Sequence, residues 1–137
     1  MSTRRHVVMR LALAIAGLAA AAGVLQAHHS FAMFDQTKRV TLVGSVAAFQ
    51  WTNPHVIIEV DVPNTNGTVG LWTIELGSPS MLVRGGWKFT DLKRGDKIAL
   101  VVNPLKQGDN GGLLVQVTLS DGRVLGNGAP PPASRGQ

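Results

Sequence analysis

In a chain with no cysteine, the four histidines are the residues with the most to offer chemically: His6, His28, His29 and His55. Imidazole nitrogen is a good ligand for copper, nickel and zinc. His28 and His29 are adjacent, and His55 closes the run Trp51-Thr52-Asn53-Pro54-His55. If the mature chain begins at His28, its α-amine and side chain can chelate one metal together. A second imidazole, from His29 or His55, would then complete a T-shaped nitrogen set of the histidine-brace kind. Such a set suits copper, because it offers nitrogen in a tetragonal plane with open axial positions. A chain-terminal amine titrates near ~7.7–8.0, so it is partly free at neutral pH. Met33, Met81 and Asp35 are candidates for an axial contact, and nothing in the sequence selects among them. The competing reading is plain solvation of His28-His29 and a turn hydrogen bond at His55. His29 and His55 are 26 positions apart, and no short ligand motif is present.

A second set of polar residues alternates with apolar ones. His55, Glu59 and Asp61 fall on one phase of a strand, and Glu75 falls on the matching phase of the next. Paired carboxylates can serve acid/base chemistry, but such a row is more often the wet face of a sheet. Together with Trp51, the residues Glu59 and Glu75 define a candidate ligand face for a partner protein or small ligand. The face is acidic, which repels an oligonucleotide backbone. The loop Gly108-Asp109-Asn110-Gly111-Gly112 lacks the Lys-Ser/Thr of a phosphate loop. No Ser-His-Asp arrangement and no dinucleotide fingerprint is found, so a binding protein is expected rather than an enzyme. The one enzymatic route that can be named is oxidative chemistry at an exposed copper brace.

Whether His28 is a chain end depends on the first 27 residues. Arg4, Arg5 and Arg10 precede LALAIAGLAAAAGVL at 11–25, an uncharged apolar run. Leu25-Gln26-Ala27 places an aliphatic residue and then Ala ahead of a cleavage point. This is the layout of a bacterial secretory signal peptide. The apolar run is short for the roughly 20 residues a spanning helix needs, which argues against a retained anchor. Cleavage near Ala21 or Ala22 is an alternative. Thr3-Arg4-Arg5-His6 also loosely resembles a twin-arginine signal, which would imply folding before export. The expected location is the periplasm, with no membrane attachment after cleavage.

With 137 residues the chain is expected to hold one domain. It has 13 Lys+Arg against 8 Asp+Glu, formally +5. Removing Arg4, Arg5 and Arg10 leaves 10 against 8, or +2, which makes no electrostatic case for nucleic acid. The absence of cysteine excludes disulfides, thiolate zinc sites and cysteine nucleophiles. The last residues, GNGAPPPASRGQ at 126–137, contain no large apolar side chain. They read as a disordered tail, leaving a domain over 28–125.

Within that domain, period-two alternation predicts strands over Val40–Trp51, His55–Val62, Val69–Leu76, Lys97–Val102 and Leu113–Ser120, the last carried on through Asp121-Gly122 to Leu125. Gly44 and its small neighbours would let the first strand bend. Ser78-Pro79, with Gly85-Gly86 downstream, brackets a short helix. Three strands, a helix and two strands is the layout of a five-stranded Greek-key barrel of the OB type. A seven-stranded sandwich is the rival, but it needs more strands than are present. Trp72 falls on the inward phase, Trp87 follows the helix like a barrel plug, and Trp51 is expected to be partly exposed.

With these residues in hand, the chain resembles an uncharacterised family of short exported bacterial proteins described only as a domain of unknown function. The resemblance rests on His28-His29-Ser30-Phe31, on Phe34-Asp35, on Gly44-x-Val46-x-x-Phe49-x-Trp51-x-Asn53-Pro54-His55 and on Trp72-x-x-Glu75. It continues through Arg84-x-Gly86-Trp87, Leu92-Lys93-x-Gly95-Asp96 and Asp121-Gly122-x-x-Leu125. It implies a β-rich periplasmic domain and brings no activity. The expectation is therefore a small periplasmic binding protein holding copper, or another divalent metal, through His28, His29 and His55. The alternative is a metal-free envelope module that binds a partner protein or ligand through the strand 2–3 face.

Overall fold

The first strand is long because it serves two neighbours. The computed structural model describes residues 31–128, and those from Phe34 onward form one compact unit. Strand β1 (Val40–Gln50) pairs along its first half with β4 (Lys97–Pro104) and along its second half with β2 (Ile57–Pro63). The handover occurs at Ser45, which pairs with both Asp61 and Lys97. A register shift between Val46 and Ala48 marks a β-bulge, the usual device for bending a barrel strand. Gly44 is needed here for a steric reason. A β-carbon on it would collide with the Asp61 carbonyl oxygen and lie 2.8 Å from Val60 Cγ1.

Strand β3 (Val69–Glu75) follows β2 antiparallel, and β5 (Gly111–Thr118) follows β4 antiparallel. The barrel closes where β3 runs parallel to β5, with Thr73, Ile74 and Glu75 opposite Gly111, Gly112 and Leu113. The circular order is therefore β1-β2-β3-β5-β4. This is the five-stranded OB-type barrel expected, with one short helix, α1 (Pro79–Arg84), between β3 and β4. A β-carbon on Gly112 would lie 2.9 Å from the Asn103 carbonyl oxygen, so the glycine pair belongs to the closure itself rather than to the connecting loop.

The inward phase of each strand fills the core. Ile58 and Val60 of β2, Ile74 of β3, Leu100 and Val102 of β4 and Val117 of β5 are fully buried. Each such side chain contributes about 1.5–3 kcal/mol of burial free energy. Helix α1 is too short to be stable alone. Ser78 caps it, its Oγ accepting from Met81 N at 3.4 Å, and Pro79 occupies the first turn. Its only buried residue, Leu82, inserts into the barrel, and Trp87 lies beside it in the core. Gly86, at φ +92°, makes the left-handed turn between them.

Two expectations need correction. A short sixth strand, β6 (Val124–Gly126), pairs with β5 outside the closed ring. The domain boundary after Leu125 also falls too early. Trp87 Nε1 donates to the Gly126 carbonyl at 2.8 Å, and Gly77 N donates to Asn127 Oδ1 at 2.6 Å. Residues 126–128 lack apolar side chains, but their backbone and amide groups satisfy buried donors. The remainder, 129–137, lies outside the described residues.

Candidate functional site

His55 stands two residues ahead of β2, where the chain leaves the corner formed by Asn53-Pro54. Thr52 Oγ1 donates to the His55 carbonyl at 3.3 Å. The next residue, Val56, is tied to the end of β3 on both sides. Its N–H donates to the Gly77 carbonyl at 3.1 Å, and its carbonyl accepts from Leu76 N at 2.9 Å. These bonds fix the His55 corner against the last turn of β3 and bring its ring to Glu75. His55 Nδ1 lies 2.7 Å from Glu75 Oε1.

That contact has a chemical consequence. A carboxylate accepts only, so the proton sits on Nδ1 and the neutral ring presents its lone pair at Nε2. A carboxylate on the far nitrogen is the arrangement that orients metal-ligating histidines and raises their basicity. The His55 side chain is 30% exposed and that of Glu75 20%, so the pair is supported by the barrel and reachable from solvent. His55 has no other side-chain partner among the described residues.

Glu59 and Asp61 share the outer face of β2 with His55. Their cross-strand neighbours on β3 are Thr73 and Leu71, while Glu75 lies opposite Ile57. Gln50 Nε2 donates to Glu59 Oε1 at 3.2 Å. Trp51 is half-buried, packed on the core and edge-on to Phe49, with centroids 5.6 Å apart. Trp72 is also half-buried against the core, and Trp87 is the plug. Farther along the same wall, a groove of about 390 Å3 runs between Val43, Pro63 and Val69, with Asp61 and Lys97 at its sides.

His28 and His29 lie outside the described residues, as do residues 1–27, expected as a leader. Among the described residues no three His, Asp or Glu side chains converge as a metal-binding group. Of the suggested axial donors, Asp35 is committed elsewhere. It accepts from Thr37 Oγ1 at 2.6 Å and Thr37 N at 3.1 Å, and it pairs with Lys38 Nζ at 3.0 Å. The Thr37 hydroxyl first, then the Lys38 ammonium, pull its carboxyl down to about 2.

One important residue went unnoticed in the sequence. Asn103 is the buried polar side chain of β4, and its Nδ2 donates to the Lys38 carbonyl at 2.8 Å. With the Asp35 N to Pro104 carbonyl bond at 2.8 Å and the Phe34–Leu105 bridge, it staples residues 34–38 to β4. The signal was there, since Asn103 follows inward Val102 and breaks the strand's apolar run. Among the described residues, no helix is long and apolar enough to cross a membrane.

Comparison with known proteins adds a fold likeness and a family. The mitochondrial single-stranded DNA binding protein Rim1 of S. cerevisiae has a similar structure at TM-score 0.47 and 9% identity, over 61% of this chain and 93% of that one. No curated protein matches the sequence. The model of a family of unknown function (DUF6152) matches residues 14–116, and the chain belongs to that family.

Proposed function

We propose that this protein is exported to the periplasm and works there as a small binding module that takes a divalent metal, copper first, at the His55 corner. The observation that carries this reading is the 2.7 Å contact of His55 Nδ1 with Glu75, which holds the ring with Nε2 as the ligand atom. One oriented imidazole is one ligand. The sequence offers the others as His28 and His29, and as the α-amine of His28 if the leader is cut after Ala27. The resulting all-nitrogen donor set favours copper. The protein binds and hands on metal rather than turning over a substrate.

The test starts by fixing the amino end of the exported chain by intact mass, then titrates it with Cu(II). Binding should broaden the His55 ring resonances and those of the two amino-terminal imidazoles. Removing a carboxylate that orients a ligating histidine costs about 10–100-fold in affinity, so Glu75→Gln should weaken copper by that factor. Unchanged copper affinity in a His28→Ala, His55→Ala double variant would overturn the reading.

A second reading rests on the wall formed by β2 and β3, where Glu59, Asp61 and Glu75 line one face beside Trp51. It is a metal-free module that captures an envelope partner there. Loss of partner capture on Trp51, Glu59 or Glu75 substitution, with no effect of His28 or His29 variants, would favour it. Nucleic acid is not the proposed ligand of this wall, since its carboxylates repel phosphate.

A further inference from the structure

We propose that the end of the barrel capped by α1 docks on an anionic lipid bilayer, with Phe89 as the apolar anchor and Arg84, Lys88, Lys93 and Arg94 as the headgroup contacts. Phe89 is 70% exposed and Val83 59% exposed. Both follow from how the chain is held. Leu82 and Trp87 are anchored in the core, so their neighbours in sequence, Val83 and Lys88-Phe89, are left outside it.

Charge is segregated to the same stretch of chain. Residues 83–97 hold five Lys+Arg and two Asp, net +3, while the other described residues hold four Lys+Arg and six Asp+Glu, net −2. The acids of this segment are engaged with its own framework. Asp91 accepts from Lys88 N at 2.7 Å and pairs with Arg123 at 2.9 Å, and Asp96 accepts from Lys93 N at 2.9 Å. None of Arg84, Lys88, Lys93 and Arg94 has an acidic side-chain partner among the described residues.

Unpaired cations on long aliphatic stems, flanking an exposed aromatic ring in the sequence, match a bilayer interface. The stems and ring enter the apolar boundary while the charges stay with the headgroups. The competing occupant is the carboxylate wall of a second copy. That wall is the poorer match, because Glu75 is already paired with His55 and Glu59 with Gln50. Each Lys or Arg near an anionic surface adds about fivefold in binding. The docking is independent of the His55 corner.

The experiment is co-sedimentation of the exported chain with vesicles. One set carries phosphatidylglycerol in phosphatidylcholine at roughly the anionic fraction of a natural leaflet, and the other is pure phosphatidylcholine. Wild type should pellet with the anionic vesicles and be released by salt. Phe89→Ala, and the pair Arg84→Gln with Lys88→Gln, should each weaken pelleting at least about fivefold while circular dichroism stays unchanged. Pelleting that does not need phosphatidylglycerol, or that the variants leave untouched, would overturn the proposal. So would a concentration-dependent oligomer that the same variants abolish, since it would assign the face to a second copy.

Discussion

The bond between His55 and Glu75 decides which ring nitrogen faces outward, and so what the corner can ligate. A substitution that keeps shape but removes charge, Glu75→Gln, separates the orienting role from packing. It should reduce copper affinity with little change in melting temperature. At the other polar cluster, Asp35 titrates at about 2 in the folded protein against its ordinary 3.8, because Thr37 and Lys38 stabilise the carboxylate. A depressed carboxyl contributes stability that is fully present above 3.8 and is lost as pH falls through about 2. NMR titration of the Asp35 carboxyl carbon should give that low midpoint in the wild type. In Thr37→Val, which removes the principal donor, the midpoint should rise toward 3.8. An unshifted midpoint in the variant would refute the assignment of cause. His55 and its acidic neighbours were legible as residue types. Their pairing was not, because Glu75 reaches the ring only through the backbone bonds of Val56 to Leu76 and Gly77.

At the scale of elements, β1 shows what alternation can and cannot say. The apolar phase of Leu42, Val46 and their partners predicts a strand, and Gly44 with the small residues Ser45, Ala47 and Ala48 suggests a bend. The structure assigns the bend to the bulge between Val46 and Ala48 and gives Gly44 a different task, the close passage of the β2 backbone. Gly44→Ala should therefore destabilise the domain by about 1–3 kcal/mol, in the range of overpacked core sites, with a matching fall in the urea midpoint. A neutral substitution would mean that β2 can move aside. The helix–β6 contact offers a second measurement. Trp87→Phe keeps most of the ring in the core but leaves the Gly126 carbonyl without its donor. The expected loss is about 1–3 kcal/mol, with faster amide exchange confined to β6. A chain ended at Leu125 should be less stable than one ended at Gly128, since only the longer chain retains the acceptors for Trp87 and Gly77. Equal melting temperatures would return the boundary to its expected place.

For the described residues as a whole, a nearly neutral composition conceals an uneven distribution of charge. One wall carries Glu59, Asp61 and Glu75, while the stretch from Arg84 to Lys97 carries five of the nine cations of the described residues, with exposed Phe89 among them. Composition counts charges, but docking depends on where the fold sends them. The amino-acid sequence by itself determined the class of fold, because strand alternation and a Ser-Pro-bracketed helix are local signals set by backbone geometry within a few residues. It also determined the absence of thiol chemistry, which is a matter of composition. The tertiary structure alone decided the closing pair β3–β5, the staple of residues 34–38 by Asn103, the use of Gly126 and Asn127 as acceptors, and the meeting of His55 with Glu75. Each of these joins positions 20 to 71 residues apart along the chain. Contacts at such separations depend on strand register and closure rather than on any local preference, so no reading of neighbouring residues contains them.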